Sequence, residues 1–182
     1  MYNKKALKTI SERIEQESAG LDSIRENSNP LIEEAYEFLD GEEYQPAFEM
    51  FMRVISEDNS NIEALNGLGI TLCEMNRFDE ALVIFKRACR LDANDACCYS
   101  NLANVYWELC DYEKALQCYQ KAIDLNPESD EAYYNLIGVH IEMNNLHVAF
   151  MLCREFMEKF PDDPEGKEMM DEIILDMAIS AY

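Results

Sequence analysis

Small residues recur along this chain at a fixed interval. Ala47, Ala81, Ala115 and Ala149 form the clearest column, with equal spacing between successive members. Repeats of this length are typical of solenoids, in which each short unit buries its apolar face only against its neighbours. We therefore expect a stack of similar units rather than a domain with one central core.

The interval divides most of the chain into four repeats, at residues 28–61, 62–95, 96–129 and 130–163. Each repeat contains two stretches with the apolar spacing of an amphipathic helix. Short polar breaks separate the two stretches, at residues 40–41, 76–77, 110–111 and 144–145. Gly and Asn at such breaks would tolerate the left-handed conformation that ends a helix. The sequence thus predicts one helical hairpin per repeat.

The third repeat shows the column residues most clearly: Tyr99, Leu102, Ala103, Tyr106, Ala115, Tyr119 and Pro127. This pattern resembles the tetratricopeptide repeat, a 34-residue helix–turn–helix unit. In the fourth repeat His140 and Cys153 stand where aromatic residues are usual, and in the first Glu34 replaces a leucine. The resemblance implies an all-α fold, a right-handed α-solenoid in which the first helix of each hairpin lines a concave groove.

Two segments flank the repeats. Residues 1–26 carry an apolar stripe at spacings of three and four, which predicts an amphipathic leader helix. It could pack on the first repeat, or serve as a docking or self-association helix. Residues 164–182 are expected to form a helix that caps the last repeat. Because apolar side chains at 169–181 extend most of the way around that helix, association with a second molecule there stays open.

The net charge is −22, from 15 basic and 37 acidic residues. Residues 1–26 hold five basic and five acidic side chains, so the excess negative charge lies in residues 27–182. A surface this acidic disfavours nucleic acid and anionic membranes, whose binding needs clustered Lys and Arg. No stretch approaches the roughly 20 apolar residues of a membrane-spanning helix. A basic protein or peptide is the favoured partner.

The remaining chemistry-bearing residues indicate no catalysis. Seven cysteines lack metal-binding spacing and follow no secretory signal, which predicts reduced thiols and a cytoplasmic protein. His140 falls in a core column, and the chain contains no phosphate-binding loop or nucleophile motif. We expect no catalytic residue, no cofactor and no metal site.

The groove residues can be read from the helical spacing. The first helices of the four repeats contain neither Lys nor Arg. Family members that clamp acidic chaperone tails do so with groove Lys and Arg, so we expect no such clamp in this chain. Asn101 and Asn135 match the asparagine with which family members bind a peptide backbone. The predicted protein-binding residues are Glu63, Asn66, Asn101, Asn104, Trp107, Glu108, Glu131, Tyr134, Asn135 and Glu142.

These observations predict a non-enzymatic scaffold that binds a net-basic segment in an acidic groove. In one variant of this hypothesis the chain self-assembles, with the leader of one molecule entering the groove of another. The alternative is a dedicated chaperone that resembles bacterial secretion chaperones and shields one client. Co-expression distinguishes the two, since a chaperone raises the solubility of its client and a scaffold bridges two partners.

Overall fold

The computed structural model describes residues 29–180. The predicted leader helix at residues 1–26 lies outside the described residues. Within 29–180 the regular structure consists of nine α-helices, with no strand. In chain order they are α1 Pro30–Asp40, α2 Tyr44–Glu57, α3 Ile62–Glu74, α4 Phe78–Leu91, α5 Ala96–Glu108, α6 Tyr112–Leu125, α7 Asp130–Glu142, α8 Leu146–Lys159 and α9 Pro164–Ser180. This is the all-α fold expected from the sequence.

The helices fall into two compact units. The first unit ends at Leu91 and contains α1 to α4, and the second begins at Asp92 and contains α5 to α9. In the first unit each helix packs on the next, and α3 also contacts α1. The second unit repeats this arrangement, with α7 also contacting α5 and with α9 packed on α8. Each unit is thus built from helical hairpins that contact their neighbours.

Short polar side chains cap the first helix of each hairpin. The amide oxygen of Asn61 accepts a hydrogen bond from the Ala64 backbone N–H at 2.9 Å. Asn29, Asp95 and Ser129 cap α1, α5 and α7 in the same way. Such caps satisfy backbone donors that a helix start leaves unpaired. They define where each hairpin begins.

The turn within each hairpin contains one residue with positive φ, namely Glu42, Asn76, Cys110 and Asn144. These residues occupy the same place in the four repeats, and each ends its first helix in a Schellman arrangement. In the second repeat, for example, the Arg77 N–H donates to the Leu72 carbonyl at 2.8 Å. The expectation that Gly41 takes the left-handed conformation is wrong, since its φ is −76° and Glu42 takes it instead.

The recurrent columns form the core. The alanine column is fully buried at all four positions, which lets the two helices of each hairpin approach closely. One turn beyond the alanine, the first three hairpins bury a bulky side chain, as Phe51, Phe85 and Tyr119. At the same position the fourth hairpin has Cys153, which is also fully buried.

Candidate functional site

The first helices α1, α3, α5 and α7 carry carboxylates and neither Lys nor Arg. Every Lys and Arg within residues 29–180 lies in a second helix, in the turn before α4, or in α9. The charge separation read from the sequence therefore holds for the helices as the structure bounds them. It makes α1 and α3 the candidate binding surface of the first unit, and α5 and α7 that of the second.

In the first unit, α1 and α3 bring Glu33, Tyr36 and Glu63 together, and we call these residues the first acidic patch. Partial burial, together with the Glu33 carboxylate, raises the pKa of Glu63. Burial and the Glu63 carboxylate raise the pKa of the Tyr36 phenol. The Tyr36 ring meets Phe51 edge-on, with centroids 5.1 Å apart. Asn66, partly buried, lies one turn beyond Glu63 on α3.

In the second unit, Asn104 accepts two hydrogen bonds through its side-chain oxygen. Tyr119 on α6 donates through its hydroxyl, and Asn135 on α7 donates through its amide at 3.5 Å. Asn135 is only 7% exposed. One N–H of its amide thus joins two hairpins, and the low exposure of the side chain restricts what it can offer to a peptide. Asn101, predicted with it, is partly buried on α5.

Trp107 packs between the third and fourth hairpins. Its ring meets Tyr119 edge-on, with centroids 6.3 Å apart. A Cβ added to Gly138 would lie 2.7 Å from the Trp107 ring, so only glycine admits the indole there. Trp107 therefore contributes to the packing between hairpins, and its partly buried ring also borders the candidate surface.

Tyr134 anchors the last helix. Its hydroxyl donates to Asp163, and the same carboxylate oxygen accepts the Gly166 backbone N–H at 2.8 Å. The ring centroids of Tyr134 and Phe156 lie 4.9 Å apart. The predicted role of Tyr134 as a binding anchor therefore coexists with a structural role at the start of α9.

The predicted glutamates of the second unit lie nearer to solvent. Glu108 and Glu142 are exposed and Glu131 is partly buried. Although the Glu108 side chain is exposed, partial desolvation by the surrounding protein raises the pKa of its carboxyl. Burial raises the pKa of Tyr119, and the Glu131 and Glu108 carboxylates raise it further, so both charges lie close to the Asn104 cluster. We call Glu108 and Glu131 the second acidic patch.

Sequence reasoning missed two residues of this surface. The repeat pattern predicts Tyr119 only as a column residue, and Asp163, in the turn before α9, is not among the predicted binding residues. A usable signal existed for Asp163, because it occupies the same place in the repeat register as the helix cap Ser129. No sequence signal identified the Tyr119 hydroxyl, since the same column holds Phe in the first two hairpins.

A groove of about 550 Å³ lies between α6, α7 and α8. Leu116, Leu136 and Leu152 line it together with His140. The Nδ1 atom of His140 is buried without a hydrogen-bond partner. Desolvation lowers the pKa of this histidine, so burial favours the neutral ring. His140, one of the two residues at which the fourth repeat departs from the usual pattern, therefore lies at this groove, whereas Cys153 does not line it.

Two further properties bear on function. Among residues 29–180, no group of three His, Cys, Asp or Glu side chains converges as metal ligands would. No helix in that same part of the chain is long and apolar enough to cross a bilayer.

The repeats match known family patterns. Residues 96–129 match the family described as "Tetratricopeptide repeat", and residues 71–109 match one described as "TPR repeat". Together the two matches extend from the end of α3 to the end of the third repeat. No curated protein sequence matches the chain.

Solved structures share the fold. A thermophilic TPR protein from Thermus thermophilus, TTC0263, has a TM-score of 0.72 at 18% identity, over 87% of this chain and 87% of that one. A MamA protein has a TM-score of 0.66 at 23% identity, over 79% of this chain and 84% of that one. The first TPR of Spaghetti (RPAP3), bound to the HSP90 peptide SRMEEVD, has a TM-score of 0.60 at 18% identity, over 63% of this chain and 90% of that one. At these identities the similarity shows the fold alone.

Proposed function

We propose, from the premise that this chain is a tetratricopeptide-repeat protein, that it is a non-catalytic scaffold that binds a net-basic protein segment on its first helices. The repeat fold supports a role in protein–protein interaction. The observation that carries the basic specificity is the distribution of charge, with carboxylates on α1, α3, α5 and α7 and every cation of residues 29–180 elsewhere.

The raised carboxylate pKa values give this distribution an energetic meaning. Glu63 and Glu108 ionise less readily than free glutamates, chiefly because each is partly desolvated. A Lys or Arg placed beside them would favour the ionised form and relieve this cost. The acidic patches are therefore suited to a cationic partner. Charge of this kind steers association and selects the partner more than it tightens the complex.

The amides and aromatic rings supply the remaining contacts. Asn66 and Asn101 are partly buried amides on the candidate surface, able to donate and accept at once. That suits the backbone of an extended peptide. Trp107 borders the second acidic patch and would provide apolar contact area. The proposed surface is completed by Asn104, Tyr134, Asn135 and Glu142. Within it, the Asn135 amide also donates a hydrogen bond to Asn104.

The acidic HSP90 peptide bound by the RPAP3 domain provides a useful contrast. A partner rich in carboxylates would meet Glu63 and Glu108 with like charge. We therefore propose that this chain rejects such a peptide while sharing the fold that binds it. Within residues 29–180 no disulfide joins any two of the seven cysteines. We propose a reducing, cytoplasmic compartment for the protein, as the scattered cysteines of the sequence predict.

Peptide binding tests the proposal. The probes are an arrayed set of Lys- and Arg-rich peptides, with SRMEEVD as the acidic comparison, and affinity is measured by fluorescence anisotropy at several salt concentrations. We expect a subset of basic peptides to bind, with affinity falling as salt rises. Affinity should also fall as the pH is lowered towards the ordinary glutamate pKa of about 4.3. The loss should begin at a higher pH than for ordinary glutamates, because the pKa values of Glu63 and Glu108 are raised.

A matched pair of variants separates the surface from bulk charge. Glu63→Lys with Glu108→Lys should weaken basic-peptide binding at least tenfold. Glu113→Lys with Glu155→Lys changes the net charge equally, at exposed positions on α6 and α8, and should weaken binding much less. Equal losses in the two double variants, or preference for SRMEEVD, would reject the proposed surface.

A further inference from the structure

Helix α9 stands in the first-helix position of a fifth repeat. It begins at Pro164, one full repeat after α7 begins at Asp130. One side packs on α8, where Gly166 and Ile173 are buried. A Cβ on Gly166 would lie 2.6 Å from the Phe156 ring, so this contact is close. In the earlier hairpins a first helix is also covered by its own second helix.

The side of α9 that a second helix would cover is open in the described part of the chain. Ile174, Leu175 and Ile179 are 48%, 60% and 65% exposed. The eighth position of the repeat shows the difference directly. Ile137 is fully buried there in the fourth repeat, whereas Asp171 is exposed at the equivalent position of α9. The outer side of α9 is therefore an apolar face with a carboxylate at its border.

The charge of α9 restricts what can cover this face. The helix carries one lysine and five carboxylates: Glu165, Glu168, Asp171, Glu172 and Asp176. Pairing with a second α9 would bring these like charges together, which is unfavourable at an interface. The complementary occupant is an amphipathic helix with an apolar stripe flanked by cations.

The first fourteen residues of the predicted leader have that character. Leu7, Ile10 and Ile14 form an apolar stripe at helical spacing. Lys4 and Lys8 fall along one side of the stripe on a helical projection, and Arg13 along the other. The stretch 1–14 contains four cations and one carboxylate, whereas the rest of the chain is strongly acidic. This is the most basic stretch that the chain offers.

We propose that the leader of one molecule docks as a helix on the outer face of α9 of a second copy, on the side that the second helix covers in the earlier hairpins. The leader precedes the first repeat and α9 follows the last. Docking between copies therefore joins two unlike surfaces, one that precedes the repeats and one that follows them. Such a contact is head-to-tail and adds copies until a ring closes or a filament forms. This inference does not depend on which segment the first helices bind.

Light scattering on the 182-residue protein tests the proposal. The wild type should show a mass that rises with concentration from 21.1 kDa through multiples of it. Leu175→Glu with Ile179→Glu removes the α9 face, and Leu7→Glu with Ile10→Glu removes the leader stripe. Each double variant should remain monomeric at concentrations at least tenfold above those at which the wild type assembles. Met52→Glu with Val83→Glu, at exposed apolar positions of the first unit, is the matched control and should assemble like wild type.

A mixture of the two defective variants provides the sharpest outcome. One variant keeps its leader and the other keeps its α9 face, so an equimolar mixture should form a dimer of twice 21.1 kDa and stop there. A mixture that stays monomeric would overturn the proposal, as would a wild type that is monomeric throughout. Assembly by the α9 variant alone would overturn it by placing the leader elsewhere, and assembly by the leader variant alone would do so by indicating another interface.

A charge exchange guards against misfolded variants. Asp171→Lys with Glu172→Lys should weaken assembly at least tenfold, and so should Lys4→Glu with Lys8→Glu in a separate protein. Combining all four substitutions restores opposite charges and should recover assembly. Failure of the combination to recover, with circular dichroism showing wild-type helix content, would count against the pairing. Basic-peptide binding, measured on the same proteins, should be unchanged by the α9 substitutions whether or not assembly fails.

Discussion

The third and fourth hairpins lie in the same unit and follow the same repeat register, but they fill it differently. Tyr106 and Tyr119 fill the two aromatic columns of the third hairpin, and both are buried. The fourth has His140 and Cys153 at those positions. Beside His140 a groove of about 550 Å³ remains. The helical hairpin is therefore kept where His140 and Cys153 replace the two aromatic residues, and the groove lies beside one of these replacements.

The largest expected effect comes from removing the better-filled column. Tyr119→Ala should lower the free energy of unfolding by about 3–5 kcal/mol, because it removes a fully buried ring and its hydrogen bond to Asn104. Cys153→Ala at the same column should cost only about 1 kcal/mol, since one sulfur atom is lost. Urea unfolding followed by Trp107 fluorescence measures both. Similar losses would show that the two hairpins are equally packed.

The contact between the two hairpins can be broken from the glycine side. Gly138→Ala should cost about 1–3 kcal/mol, because the new Cβ would lie 2.7 Å from the Trp107 ring. The Trp107 emission should also change as the ring moves. Gly41→Ala is the control, since its Cβ would meet nothing closer than 3.3 Å and its φ is negative. An unchanged melting curve for Gly138→Ala would mean that the indole has room.

The groove can be filled by making the fourth hairpin resemble the third. His140→Tyr should raise the free energy of unfolding by about 1 kcal/mol. The substitution removes the buried Nδ1 atom, which has no hydrogen-bond partner, and introduces a larger ring. Denaturant titration at neutral pH provides the measurement. A destabilised variant would show that the groove cannot admit the phenol.

The same substitution should change the pH dependence. Burial lowers the pKa of His140 in the folded state, so the unfolded chain takes up the proton more readily. Stability from this source is present above the ordinary histidine pKa of about 6.5 and is lost as pH falls below it. The wild type should therefore lose more stability than His140→Tyr as the pH falls from about 7.5 to about 5.5. Parallel losses would exclude His140 as the source.

The smallest effect concerns the turns. Cys110 and Asn144 both have φ of 57°, yet Asn tolerates this conformation better than Cys. Cys110→Asn should therefore stabilise the protein by about 0.5–1 kcal/mol, and Asn144→Cys should destabilise it by a similar amount. Thermal melts of the two reciprocal variants measure the pair. If both variants were stabilised, or both destabilised, backbone strain at the positive-φ residue would not explain the stability of the turn.

The sequence by itself determined the architecture of this protein, because the register repeats. Ala47, Ala81, Ala115 and Ala149 recur at one interval. A residue in that column must be small, because two helices are in contact there. The sequence also determined the absence of Lys and Arg from the first helices. It depends on the order of residues within each hairpin and on no detail of packing.

Only the tertiary structure decided which polar side chains form hydrogen bonds within the protein. Asn104 accepts from Tyr119 and Asn135, and Tyr134 donates to Asp163, so residues predicted to face a partner also hold hairpins together. Helical spacing shows which side a residue faces but not what lies opposite it. Hydrogen bonds between hairpins join atoms that are far apart in the sequence, and their geometry follows from packing that no local pattern encodes.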